Sequence, residues 1–185
     1  VGDSAAYVGY VNGDGCADII IGAPGYNAGE LINAGRAFVF YGCRATSSGL
    51  NDIPEWEYSF PQAGANFGFD VSSAGDTNAD GFAEILVGAH LYDDEQAAEG
   101  AVFAFFGSAL GIVNQPVWLV EGNKNETEFG YAVDNAGDTN HDGFSDALIG
   151  SPSFRVDELI RGSAFLYFGS AEKIIYHNFL PFIRR

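Results

Sequence analysis

The chain has 185 residues, 25 of them Asp or Glu against 8 Lys or Arg, and a formal net charge of −17. That balance leaves no cationic surface for nucleic acid or for an anionic membrane. A hydrophobic content of 47% argues against disorder, and no apolar run reaches the ~18 residues of a membrane span.

The sequence starts at Val1 and contains no Met, so it reads as a processed chain or a piece of a longer one. Three stretches align: YVNGDGCADIIIGAP at 10–24, DTNADGFAEILVGAH at 76–90 and DTNHDGFSDALIGSP at 138–152. Phe67-Gly68 recurs as Phe129-Gly130. Tyr41-Gly42, Phe106-Gly107 and Phe168-Gly169 each close an apolar run. Self-similarity at a period of about 60 residues marks a repeat architecture. The units are 1–66, 67–128 and 129–185, each predicted to be one blade.

Each unit predicts four short strands. In the second, FGFDVSSAG leads to a polar loop at 76–81, and EILVGA follows as a strand buried on both faces. An acidic loop at 90–100 precedes GAVFAFFG, rich in aromatic and branched residues. PVWLVEG is the fourth strand, with EWEYSF and IIYHNF as counterparts. No helical stripe of ten residues or more stands out. The expected fold is all-β and propeller-like, with three four-stranded blades.

The polar loops carry the chemistry. Asp76, Asn78, Asp80, Gly81 and Glu84 hold positions one, three, five, six and nine of the second loop. Asp138, Asn140, Asp142, Gly143 and Asp146 repeat that spacing. Calcium takes six to eight hard oxygen ligands, and alternate side chains supply three of them. The carbonyl at position seven, Phe82 or Phe144, adds one, and the acid at position nine closes the set. The plain alternative is a pair of metal-free Asp-Gly turns; two copies in register weigh against it. The first loop keeps Asn12, Asp14, the Cys16 carbonyl and Asp18, but has Tyr10 at position one. A neutral phenol is a poor calcium ligand, so two calcium sites are expected, with a third weak, empty or completed by water.

The Phe-Gly pairs, these loops and Gly22-Ala23-Pro24, with Gly88-Ala89-His90 and Gly150-Ser151-Pro152 as variants, resemble the FG-GAP repeat of integrin α-subunit propellers. The resemblance covers essentially the whole chain. It implies four-stranded blades around an axis, calcium between strands one and two, and an extracellular or secreted setting. It implies adhesion, assembly or ligand binding, with protein or glycan partners, rather than catalysis. Three blades fall short of a closed ring. The expected remedies are blades on a longer chain, a ring of two copies, or a fibre.

Lesser signals complete the reading. Cys16 and Cys43 are expected to form a disulfide, the alternative being two buried thiols. Asn125-Glu126-Thr127 is a glycosylation sequon. Asp93-Asp94-Glu95 is a solvated loop by default, or a seat for a cation or basic partner. The loops at 26–33 and 154–161 occupy one place in their repeats and are the first choice for ligand contact. Neither the scattered His90, His141 and His177 nor Ser151 suggests a catalytic nucleophile and base. Trp56 and Trp118 read as packing residues. The tail IIYHNFLPFIRR reads as a last strand with an extension able to dock on a neighbour, Pro181 confining it to an edge.

Overall fold

Each of the apolar runs forms a strand. The computed structural model describes residues 2–43, 53–157 and 159–171, and the backbone of the strand at 175–181. The first sheet has the order β1 (Ser4–Gly9), β2 (Asp18–Ala23), β3 (Arg36–Phe40), β4 (Trp56–Tyr58). The second is β5 (Val71–Gly75), β6 (Glu84–Ala89), β7 (Ala101–Phe105), β8 (Trp118–Glu121). The third runs β9 (Ala132–Gly137), β10 (Asp146–Ser151), β13 (Ser163–Phe168), β14 (Ile175–Pro181). All neighbours are antiparallel, so each sheet is a meander, and no helix occurs among the described residues.

Two features depart from the predicted strands. The loop at 154–161 contains its own hairpin, β11 (Arg155–Val156) and β12 (Leu159–Ile160), where a loop without strands was expected. The fourth strand of the first sheet is only Trp56–Tyr58, shorter than EWEYSF. Pro181 does end an edge strand, opposite Ser163. The prediction of a docking extension falls partly on 182–185, outside the described residues.

The first strand of each sheet ends in a bulge. The registers slip between Tyr7 and Gly9, between Ser73 and Gly75, and opposite Asp146 and Ala147. Gly9, Gly75 and Gly137 stand there at φ 74, 73 and 71°, a conformation that costs an L side chain energy. The bulge turns the chain out of the ladder and into the polar loop.

The sheets stack face to face, and their first strands lie side by side. One core joins sheets one and two around Val8, Ile20, Val39, Ile85, Phe103 and Phe105. A second joins sheets two and three around Leu86, Val102, Phe129, Ile149, Phe165 and Tyr167. Trp56 meets Phe105 edge to face at 5.0 Å, and Trp118 meets Tyr167 at 5.0 Å, so both tryptophans pack between sheets. The result is an arc of three propeller-type blades.

The Phe-Gly and Gly-Ala-Pro elements meet at these junctions. Pro24, His90 and Pro152 occupy the second place of a turn closed by Tyr26 N–H to Ala23 O (3.1 Å), Tyr92 to Ala89 (3.0 Å) and Phe154 to Ser151 (3.3 Å). Proline presets the backbone angle such a turn needs. Phe67 and Phe129 are buried, at 0% and 1% exposure. Gly68 N–H donates to Gly88 O at 2.9 Å, while a Cβ on Gly22 would fall on the Gly68 carbonyl. Gly130 repeats the arrangement, donating to Gly150 O at 3.1 Å and setting its own carbonyl where a Gly88 Cβ would be.

Candidate functional site

The three polar loops share one backbone path. Position four is left-handed in each: Gly13 at φ 70°, Ala79 at 59° and His141 at 62°. Position six is Gly15, Gly81 and Gly143 at 80, 91 and 93°. Only glycine adopts this region freely, so Ala79→Gly and His141→Gly are each expected to raise stability by about 0.5–1 kcal/mol in urea unfolding.

Short side chains hold the turn. In the second loop Asp76 accepts Asp80 N–H at 3.1 Å and Gly81 N–H at 2.9 Å. Asn78 Oδ1 accepts Asp80 N–H at 2.8 Å, and Asp80 Oδ1 accepts Phe82 N–H at 2.9 Å. The third loop repeats this: Asp138 takes Asp142 and Gly143 N–H at 3.1 and 3.0 Å, Asn140 takes Asp142 at 3.0 Å, and Asp142 takes Phe144 at 3.0 Å. In the first loop Asn12 accepts Asp14 N–H at 3.0 Å and Asp14 accepts Cys16 N–H at 2.8 Å. Tyr10 is 49% exposed at position one.

Position nine does something different. Asp18, Glu84 and Asp146 are all 0% exposed. Asp18 accepts Val11 N–H at 2.9 Å and Gly42 N–H at 2.8 Å, tying the loop to the end of β3. Asp146 likewise takes Thr139 N–H at 2.8 Å and Gly169 N–H at 3.2 Å. Glu84 Oε2 takes Thr77 N–H at 2.6 Å and the Thr77 hydroxyl at 2.7 Å. Its other oxygen, Oε1, is buried with no hydrogen-bond partner among the described residues. Burial pushes the Glu84 carboxyl up to about 7, against the Thr77 bonds and helped by Asp80 and Asp76. Burial also raises Asp18.

This locking role was not foreseen. Its sequence signal was the survival of the acid in the first loop, where Tyr10 replaces the carboxylate of position one.

Neighbouring loops are bonded to each other. Ser145 N–H donates to Asp76 O at 2.9 Å, and Ala83 N–H to Tyr10 O at 3.4 Å. The Phe82 ring lies where a Cβ on Gly13 would be. The loops therefore line one rim of the arc. Among the described residues no three His, Cys, Asp or Glu side chains converge as a metal cluster, since the carboxylates face their own backbone amides. The donor set still suits a hard cation: every side-chain donor is oxygen, and Glu84 Oε1 is an orphaned buried acceptor.

Cys16 and Cys43 are joined by a disulfide with Cα atoms 5.7 Å apart, which pins the first loop to the end of β3. Asn125 is exposed and its Oδ1 accepts Ala97 N–H at 3.2 Å. The Thr127 hydroxyl is buried against Glu99 O at 2.7 Å.

The opposite rim carries the two loops named for ligand contact and, between them, the acidic loop at 90–100. Gly35 N–H to Tyr26 O (2.9 Å), Gly100 to Tyr92 (3.0 Å) and Gly162 to Phe154 (3.2 Å) close all three at the base. Ile32, Leu159 and Ile160 are exposed on them, at 58, 56 and 60%. In the middle loop, Asp93 bonds to Ala98 N–H and Glu99 accepts Asp94 and Asn123 N–H at 2.9 and 3.1 Å. Those acids brace the loop. Burial, then Glu99, raises Glu121; burial, then Glu121, pushes Tyr92 up to about 12. His90 is buried against Phe69 and Tyr131, and burial lowers its basicity. His141 is exposed on its loop.

Residues 5–40 and 67–105 match the family model described as FG-GAP repeat. The chain is an FG-GAP repeat protein. It is 31% identical to integrin alpha-PS5 of Drosophila melanogaster over 168 residues, 84% of this chain and 16% of that protein. Integrin alpha-3 of Cricetulus griseus is 32% identical over 154 residues, 81% and 14% of the two chains. Integrin alpha-5 of Xenopus laevis is 28% identical over 191 residues, 96% and 18%. The FG-GAP chain thus spans less than a fifth of the length of these relatives. The third sheet lies outside the matched residues but has the same strand order as the first two and the loop bonding of the second.

Proposed function

We propose that the chain is a calcium-stabilised, non-enzymatic interaction module working outside the cell, in adhesion or in the assembly of a larger structure. The likeness to integrin α chains supports an adhesion or ligand-binding role. The disulfide fits an oxidising compartment. On this reading Asn125 is a glycan acceptor, and the partners are protein or glycan ligands and further blades, including other copies of the chain. No helix of the described residues is long and apolar enough to cross a membrane.

Asp76, Asn78, Asp80, the Phe82 carbonyl and Glu84 would hold one ion. Asp138, Asn140, Asp142, the Phe144 carbonyl and Asp146 would hold a second. Asn12, Asp14, the Cys16 carbonyl and Asp18 form a poorer third set because Tyr10 supplies no carboxylate. A bound cation would neutralise crowded carboxylates and lock the loop. The observation that carries this reading is the buried, unpartnered Glu84 Oε1 beside an all-oxygen donor set.

Thermal unfolding with calcium and with a chelator tests it. At tenfold excess over the dissociation constant each site adds about 1.4 kcal/mol, or a rise in Tm of about 3–5 °C. Two sites are expected by titration calorimetry. A melt indifferent to calcium would refute the reading.

The runner-up is a ligand-binding propeller of lectin or receptor type, favoured by the exposed Ile32, Leu159 and Ile160 on one rim. Binding on a glycan array would distinguish it.

A further inference from the structure

The turn after the second strand of each sheet carries proline in two sheets and histidine in the third. Pro24 and Pro152 hold the position in sheets one and three, and His90 holds it in sheet two. The exchange puts an ionisable ring at the junction of sheets two and three. Two residues earlier, Gly88 makes the close approach to the Gly130 carbonyl that brings those sheets together.

His90 is 7% exposed. Its ring centroid lies 3.8 Å from that of Phe69, on the segment leading into β5, and 5.5 Å from that of Tyr131, on the segment leading into β9. Nδ1 is buried with no hydrogen-bond partner among the described residues. A neutral imidazole leaves only a lone pair there. A protonated one would place an N–H and a positive charge in the slot with nothing to receive them. The acids around it are otherwise engaged. Glu128, ahead of β9, favours the proton, but its Oε2 already accepts the Ser153 hydroxyl at 2.9 Å. Asp70, beside Phe69, accepts the Ser4 hydroxyl at 2.9 Å and Val133 N–H at 2.8 Å. Asp93 and Glu99 face amides of their own loop, and Tyr92 bonds to Glu121. Burial makes the ring a weaker base, and Glu128 offsets only part of this.

The same junction is held by a strained strap. Glu126, Glu128 and Phe129 N–H donate to Ala97, Ala98 and Glu99 O at 2.8, 3.2 and 3.1 Å. At the first junction Gly64, Asn66 and Phe67 do the same to Ile32, Asn33 and Ala34 O at 2.9, 3.1 and 3.0 Å. Both straps need left-handed backbone at two positions. The first uses Gly64 at φ 79° and Asn66 at 55°, residue types that tolerate it. The second uses Glu126 at 57° and Glu128 at 52°, which do not.

We propose that the joint between sheets two and three is an acid-operated hinge, released when His90 takes a proton and leaves its slot between Phe69 and Tyr131. The joint between sheets one and two, with Pro24 and a relaxed strap, stays shut. The imidazole has an ordinary value of 6.5 and is held lower in the closed joint. Opening therefore grows as pH falls from the ordinary value toward the lowered one, by up to about tenfold per pH unit. The loops at 90–100 and 154–161 spring from opposite sides of the hinge, so release shifts one against the other. A partner spanning both would loosen in acid; that consequence rests on the interaction reading above, whereas the hinge itself does not.

Amide hydrogen exchange in chelator near pH 7 and near pH 5, each amide referred to its intrinsic rate, tests the hinge. The amides of Tyr92, Phe129 and Gly130 should open about tenfold or more faster in acid. Their counterparts at the first junction, Tyr26, Phe67 and Gly68, should not. His90→Pro installs the residue of the other two turns and should abolish the acid effect. His90→Phe keeps a ring in the slot and repeats the test should the proline variant fail to fold by circular dichroism. Glu126→Gly should slow opening at both pH values and leave their ratio unchanged.

No acceleration in acid overturns the proposal, as does acceleration that is equal at the two junctions, which would mean global unfolding. An acid effect that persists in His90→Pro or His90→Phe overturns it too, and so does its loss in Glu126→Gly, which would assign it to the strap.

Discussion

Gly88→Ala is expected to lower stability by about 3–5 kcal/mol, measured by urea unfolding. Gly88 is in β6 of the central sheet, and an added Cβ would fall on the Gly130 carbonyl oxygen of the next sheet. Neither partner can give way. Gly130 is held at φ 80° and donates its N–H to Gly150 O at 3.1 Å. Gly88 in turn donates to Asp70 O at 2.9 Å and accepts Gly68 N–H at 2.9 Å. Relief of the clash requires moving sheet three off sheet two, which opens the core at Phe129 and Ile149. Gly25→Ala is the control: nothing lies within 4 Å of a Cβ there, so its effect should stay within about 0.5 kcal/mol. A Gly88→Ala chain as stable as the control would show that the sheets are not stacked through this contact.

The stability of the chelated protein is expected to depend on Glu84 with a definite sign. Its carboxyl is raised from 4.5 to about 7, first by burial. The unfolded chain releases this proton near the lower value, while the folded chain keeps it until near neutrality. Between those limits the native state binds more protons, so its contribution to stability falls as pH rises. The difference amounts to about 3 kcal/mol, complete somewhat above pH 7. Glu84→Gln removes that slope, so the gap between wild type and variant should widen in favour of the variant from pH 5 to 8. The burial of His90, which costs stability as pH falls, is common to both chains and cancels. Saturating calcium should flatten the wild-type curve and leave the variant less changed, because a divalent ion at Oε1 replaces the proton. Parallel curves for the two chains would remove Glu84 from the account.

Both results bear on the motif itself. The glycines of Phe-Gly and Gly-Ala-Pro are needed for close approach between one repeat and the next. The side-chain oxygens of the loop divide into two groups. Asp76, Asn78 and Asp80 shape the turn at the rim, whereas Glu84 is buried beneath it. A cation would draw on both groups.

Much of this was legible in the chain. The apolar run EILVGA marks a doubly covered strand, and β6 is buried throughout. The half-covering of β3 was not legible, because RAFVF is about as apolar as AVFAF of β7, which is buried throughout. The hairpin at 155–160 was not legible, because Arg155, Val156, Leu159 and Ile160 are too few to show a period. The second role of position nine was also hidden. A carboxylate at metal spacing and a carboxylate locking a β-strand end use the same residue type, and only the partners, Gly42 for Asp18 and Gly169 for Asp146, tell them apart.

The acidity noted at the outset now has a place. Asp14, Asp18, Asp76, Asp80, Glu84, Asp138, Asp142 and Asp146 cluster in three loops along one rim, at fixed spacing. The sequence alone determined the repeat, the four strands per sheet and the donor set, because periodicity and spacing are local properties of the chain. The tertiary structure decided which sheet face covers which and that Glu84 ends with one oxygen unpaired. Those depend on contacts between residues far apart in the chain, Gly22 with Gly68 and Gly88 with Gly130 among them, where packing geometry rather than residue type sets the outcome.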